Sequence, residues 1–126
     1  MAAVARLIGV YDADGSVTGE LSYFLRARVG RAHCALCDIT HGRVRERGDW
    51  RVCREQLAVP FVTYHRDDQP AAVRALGLRL PVVVAETVDG ELFEVVDADA
   101  LESCAGDPER LVARIEAELA AREPLS

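Results

Sequence analysis

The residues with the clearest capacity for chemistry are two cysteines, Cys34 and Cys37, which have two residues between them and lie between His33 and His41. Two thiols at this spacing, on a turn or on the first turn of a helix, can come within bonding distance of each other, or both can face one metal ion. The segment therefore admits thiol–disulfide exchange and thiolate ligation of a metal.

In the redox interpretation, Cys34 is the attacking thiolate and Cys37 is its resolving partner. Such a site needs a partly exposed sulfur and a thiol whose pKa is lowered by nearby positive charge. Five arginines stand between positions 43 and 54, against only two carboxylates. This interpretation requires no cofactor, and the expected partners are protein or small-molecule thiols.

In the metal interpretation, Cys34, Cys37 and His41 are three ligands of a zinc ion, and Cys53 or another cysteine or histidine completes the tetrahedron. A single pair of cysteines is a weaker signal than the two pairs of a zinc ribbon. The third interpretation is that the cysteines are inert, buried residues. Core packing is the expectation for Cys53, which recurs with Trp50 and Leu57 at helical spacing.

Composition limits the other functions that this chain can have. Its 126 residues suit a single domain over residues 1–126, and its net charge of -6 argues against a nucleic-acid or anionic-membrane partner. No apolar run approaches the ~20 residues needed to cross a bilayer, so the expected location is the cytoplasm. All 15 cationic side chains are arginines, which excludes a P-loop lysine and a Schiff-base lysine.

Hydrophobic patterns predict four strands, at residues 6–11, 60–65, 81–85 and 91–96. Helices are predicted to begin at Ser16 or Thr18, at Asp49, at Asp67 or Asp68, at Asp99 and at Asp107. Helices between strands favour parallel pairing, whereas the Asp89-Gly90 turn favours an antiparallel hairpin. The predicted fold is α/β, with a four-stranded mixed sheet flanked by helices.

This element order, with Pro81 opening the third strand and a hairpin leading to the fourth, resembles the thioredoxin and glutaredoxin fold. The resemblance implies one thioredoxin-like domain in which Pro81 is cis and belongs to the active site with Cys34 and Cys37. One difference matters: in those families the C-x-x-C motif directly follows the first strand, but here it follows one predicted helix later. An active site of the thioredoxin type therefore requires the intervening helix to return the thiols to the edge of the sheet where Pro81 lies.

Two further resemblances concern shorter segments. The pattern Cys-x-Leu-Cys-x-x-Thr-x-Gly, from Cys34 to Gly42, resembles a group of small uncharacterised bacterial proteins. Some of them carry a GTPase label, which the lack of a Gly-Lys-Ser/Thr phosphate loop contradicts here. Residues 12–17 resemble the first motif of haloacid-dehalogenase-type phosphotransferases, which implies Asp12 as nucleophile, Asp14 as general acid and a magnesium ion.

Overall fold

The computed structural model describes residues 3–12, 35–40 and 48–122. Within these ranges the chain forms four strands: β1 (Val4–Tyr11), β2 (Phe61–His65), β3 (Val82–Thr87) and β4 (Leu92–Val96). It also forms five helices: α1 (Ala35–Thr40), α2 (Gly48–Glu55), α3 (Ala71–Arg74), α4 (Ala98–Ser103) and α5 (Pro108–Arg122). The helix predicted to begin at Ser16 or Thr18 lies outside the described residues.

The four strands form one open mixed sheet in the order β2-β1-β3-β4. β1 pairs with β2 in parallel, and β3 is antiparallel to both β1 and β4. Gly90 has a φ of 86° in the turn between β3 and β4, a backbone conformation that glycine adopts without steric cost. The predicted α/β class and the mixed sheet with one parallel pair are confirmed.

Alternating side chains of the central strands β1 and β3 supply two separate cores, as the two-residue repeat of a strand requires. The larger core contains Leu7, Tyr11, Val83 and Ala85 and packs against helices α1, α2, α4 and α5. The smaller core consists of Ile8, Val10, Val73, Val82 and Val84. β1 is therefore apolar on both faces, which explains why residues 6–11 read as a buried strand.

Two predicted helix starts are wrong. α3 begins after Pro70, with no capping side chain, because the Asp68 carboxylate accepts a hydrogen bond from the backbone N–H of His65 instead. α4 is capped by Asp97, whose Oδ1 lies 2.8 Å from the backbone nitrogen of Ala100, and Asp99 lies within its first turn. The start predicted at Asp49 is close to the observed one, since α2 begins at Gly48.

Candidate functional site

The structure describes part of the cysteine segment. Cys37 belongs to α1, whereas Cys34, His33 and His41 lie outside the described residues. The distance between the two sulfurs is therefore not defined, but the position of the helix that carries Cys37 is. The location of the candidate site follows from what holds α1 on the sheet.

α1 is anchored on β1 through its buried residues. Leu36 and Ile39 are fully buried in the larger core. Gly9 allows this close approach: a Cβ atom at Gly9 would lie 3.2 Å from Cδ2 of Leu36 and 3.0 Å from two ring carbons of Phe61. A side chain at position 9 would thus press against Leu36 of α1 and against Phe61 of the neighbouring strand β2.

A buried hydrogen bond joins the last residue of α1 to the last residue of β1. The hydroxyl oxygens of Tyr11 and Thr40 lie 2.9 Å apart, and the two residues are 3% and 0% exposed. A buried hydroxyl group that lacks a hydrogen-bond partner destabilises the folded state, so this hydrogen bond opposes separation of the two side chains. The C-terminal end of α1 is therefore fixed at the end of β1.

Pro81 lies at the same end of the sheet. The Leu80–Pro81 peptide bond is cis, as the resemblance implies. Val82 pairs with Val10 in the antiparallel register, so Pro81, one residue earlier, lies beside the end of β1 at Tyr11. Proline has no N–H to donate to a strand pair, which explains why β3 begins at Val82 rather than at residue 81.

We call this region the Tyr11 end of the sheet: the ends of β1 and β2, the start of β3 and the C-terminal end of α1. His65 ends β2 opposite Tyr11 in the parallel register, and the two rings have centroids 5.3 Å apart. Nδ1 of His65 lies 3.4 Å from Oδ2 of Asp68. The sequence predicted His65 either as the polar end of a strand or as one of the possible fourth ligands of a metal ion. It did not predict the contact with Tyr11, although neighbouring parallel strands end at the same edge of a sheet.

The same end of the sheet carries an ion pair on its surface. Nη1 of Arg66 lies 3.3 Å from Oδ1 of Asp12, and both side chains are partly exposed. Asp12 is the residue that the phosphotransferase resemblance would make a nucleophile. In this structure its carboxylate pairs with a guanidinium, and Asp14 lies outside the described residues.

Cys53 and Cys104 are core residues. Cys53 is 6% exposed on α2, in the larger core with Trp50, as its helical spacing predicts. Burial raises the pKa of the Cys53 thiol, and the carboxylates of Glu109, Asp49 and Asp107 raise it further.

Cys104, which follows α4, is also buried, and its Sγ lies 3.4 Å from the carbonyl oxygen of Ala100. Burial raises the pKa of this thiol, although the nearby Arg114 and Arg110 act in the opposite direction. Both thiols are therefore neutral and unreactive near pH 7.

The zinc interpretation is only partly covered by the structure. Among the described residues, no group of three or more histidine, cysteine, aspartate and glutamate side chains could hold a metal ion. Cys34 and His41, two of the proposed ligands, are outside that part of the chain. Cys53, the proposed fourth ligand, lies on α2, which packs against α1.

An open groove of about 390 Å³ lies elsewhere, where the chain passes from α2 into β2. Its lining residues are Arg54, Glu55, Leu57, Ala58, Val59, Pro60 and Phe61. Because β2 starts at Phe61 and ends at His65, the groove is at the opposite end of the strand from the candidate site.

Comparison of the chain with known protein families, with curated proteins and with solved structures found no match. Within the described residues, no helix is both long and apolar enough to cross a membrane.

Proposed function

We propose that this chain is a thioredoxin-like domain that exchanges thiols and disulfides through Cys34 and Cys37. The strand order β2-β1-β3-β4, the parallel pairing of β1 with β2 and the cis proline before β3 support the thioredoxin-like assignment. Redox families built on that fold bring a proline of this kind beside their cysteines. The proposal therefore requires the Cys37 helix and Pro81 to share one end of the sheet.

The observation that carries the proposal is the hydrogen bond between Tyr11 and Thr40. It fixes the end of α1 next to the residue that lies beside Pro81. The motif comes one predicted helix later than in thioredoxins, and the end of α1 that lies at the Pro81 edge is its C-terminal end, three residues after Cys37. The support for the proposal is that α1 and Pro81 share this end of the sheet.

In the proposed reaction, the dithiol of Cys34 and Cys37 reduces a substrate disulfide and is itself oxidised. The Cys34 thiolate attacks one sulfur of a substrate disulfide, the substrate S–S bond breaks, and the first substrate thiolate leaves and takes up a proton. Cys37 then loses its proton and attacks the Cys34 sulfur, which releases the second substrate thiolate. The substrate gains two electrons, Cys34 and Cys37 become a disulfide, and an external dithiol returns them to the reduced state.

The test is the reduction of insulin, a model protein disulfide, with dithiothreitol as the terminal reductant. We expect the wild-type chain to accelerate the reaction and Cys34→Ser to abolish the acceleration, because no attacking thiolate remains. Cys37→Ser should accumulate a mixed disulfide at Cys34. Cys104→Ala is the matched control and should keep full activity, since Cys104 is buried away from solvent. Undiminished activity in Cys34→Ser would refute the proposal.

A zinc-binding module is the second candidate, with Cys34, Cys37, His41 and Cys53 as ligands. It is favoured by one observation, the packing of α2, with Cys53, against α1. Elemental analysis of protein purified without a metal-affinity tag separates the two candidates, because a closed structural site retains its zinc. The redox proposal predicts far less than one zinc per chain, and a full equivalent would favour the module.

A further inference from the structure

The two outer strands of the sheet, β2 and β4, differ in how their free edges are protected. Arg122, the last residue of α5, lies across β4: its guanidinium carbon is 4.4 Å from the centre of the Phe93 ring, and Nη2 is 3.4 Å from the carbonyl oxygen of Glu94. A charged side chain in this position obstructs the approach of another strand. β2 contains no aspartate, glutamate, lysine or arginine, and Thr63 at its centre is exposed.

The pairing of β2 with β1 determines which of its backbone groups face outward. The backbone N–H of Leu7 donates to the carbonyl oxygen of Pro60, at 2.8 Å, so the groups of Pro60 and of every second residue after it face β1. The residues whose N–H and C=O groups face outward are Phe61, Thr63 and His65.

The outward groups of His65 already have partners. Its N–H donates to a carboxylate oxygen of Asp68, and its carbonyl oxygen accepts a hydrogen bond from the N–H of Asp68, at 3.2 Å. No residue in the described part of the chain bonds the outward groups of Phe61 or Thr63. Two donors and two acceptors are therefore available along the edge of β2.

This set of four backbone groups is complementary to itself. When the β2 strands of two copies lie antiparallel with Val62 opposite Val62, Phe61 of each copy lies opposite Thr63 of the other. Each of these two pairs exchanges two hydrogen bonds, so every outward group of both residues is satisfied. A register centred on Thr63 would instead place Phe61 opposite His65, whose groups are bonded to Asp68.

The open groove described above gives such a pair a second region of contact. The groove lies at the start of β2 and the turn of residues 66–68 follows its end, so antiparallel pairing places the turn of each copy beside the groove of the other. The groove presents Arg54 and Glu55. The turn presents Arg66 and Asp67, both exposed. Each side thus has one charge of either sign, and opposite charges can meet at both ends of the pair.

We propose that β2 is a docking edge for a second copy of this chain, which pairs antiparallel to it about a two-fold axis at Val62 and joins the two sheets into one. The inference is independent of the proposed thiol exchange. Because the paired strands are short, the interface is small, and the dimer is expected to be weak and to exchange rapidly with monomer.

Sedimentation velocity of the chain in dithiothreitol tests this association between about 10 µM and 1 mM, the range expected for a small, transient interface. We expect the wild type to shift from monomer to dimer. Thr63→Pro should weaken the dimer by about tenfold or more, because it removes two of the four hydrogen bonds. The fold should persist, since the N–H of Thr63 faces away from β1 and proline is tolerated at such edge positions.

Thr63→Val is the matched control, because it changes the same side chain but keeps the N–H, and it should associate as the wild type does. A wild type that stays monomeric at the highest concentration would overturn the proposal and leave β2 open only to other extended peptides. A dimer that is undiminished in Thr63→Pro would overturn it as well.

A cross-link tests the register and does not depend on the folding of Thr63→Pro. Facing residues that share no hydrogen bond in an antiparallel pair have Cα atoms about 4.5 Å apart, within the range of a disulfide. Val62→Cys, in a chain with Cys34 and Cys37 changed to serine, should therefore form a disulfide between position 62 of two copies on oxidation. Val52→Cys, at an exposed position of α2, is the control and should cross-link far less. Equal yields from the two variants would contradict the proposed pairing.

Discussion

At the scale of single residues, Tyr11 is the point at which the described parts of the candidate site meet. Its hydroxyl bonds Thr40 on α1, its ring contacts His65 on β2, and its position in β1 is next to Pro81. A tyrosine combines a large apolar ring with a polar end, so one side chain can fill the core and also form a specific hydrogen bond. The role we assign to Tyr11 is to hold α1 in place.

This role predicts coupling between the two hydroxyl groups. Tyr11→Phe and Thr40→Val each remove the same hydrogen bond, so their effects on the free energy of unfolding should not add. We expect a coupling energy of about 1 kcal/mol, the typical net contribution of a neutral buried hydrogen bond. Chemical denaturation of the wild type, both single variants and the double variant measures it. Additive losses would mean that the bond does not stabilise the attachment of α1.

At the scale of elements, β1 is the strand on which the other parts are placed. It pairs with β2 on one side and β3 on the other, and its central residue, Gly9, has no side chain. Phe61 fills the space beside this glycine, and its ring meets the ring of Trp50 edge to face, with centroids 5.0 Å apart. Since Trp50 is fully buried, Phe61 has little room to move away.

Gly9→Ala should therefore be destabilising, although alanine is ordinarily the better residue in a strand interior. The added methyl group would lie 3.0 Å from the Phe61 ring and 3.2 Å from Leu36. Overpacking of this kind costs about 1–3 kcal/mol, and thermal unfolding measures it. A second substitution, Phe61→Leu, shortens the obstructing side chain and should lower the penalty for Gly9→Ala. An unchanged or higher melting temperature in Gly9→Ala alone would contradict the tight packing of α1 on β1.

The strands of this fold are easier to predict from the sequence than the starts of its helices. The strands carry strong local signals, such as the apolar run before Tyr11 and the Asp89-Gly90 turn, and all four are found close to their predicted positions. The predicted starts of α3 and α4 are wrong for different reasons. Asp68 bonds the backbone of His65 and leaves α3 without a capping side chain, whereas α4 is capped by Asp97, two residues before the predicted Asp99. Local sequence does not contain that information.

At the scale of the whole molecule, the candidate site depends on sheet pairing that joins distant parts of the chain. Three of its residues, Tyr11, Thr40 and His65, belong to three different elements, and Pro81 directly precedes a fourth. Only the order of the strands and the packing of α1 bring them to one end. The sequence predicted Cys34, Cys37 and Pro81 as site residues through motif and resemblance. It did not predict that Tyr11 and His65 meet at this end of the sheet, because each acquires its partners only in the folded chain.

The four cysteines also fall into two groups at this scale. Cys53 and Cys104 are buried thiols of the larger core, with pKa values raised by burial, whereas Cys34 and Cys37 belong to the segment that forms α1 and precedes it. The proposed function accordingly assigns the exchange of disulfides to Cys34 and Cys37 and a packing role to Cys53 and Cys104.

The measurement that tests the central claim most directly is a disulfide map of the folded chain after equilibration with oxidised glutathione. The account predicts one intramolecular disulfide, between Cys34 and Cys37, with Cys53 and Cys104 still reduced and alkylated only after unfolding. A folded protein in which Cys34 and Cys37 never join, or in which either of them pairs with Cys53 or Cys104, would contradict the account.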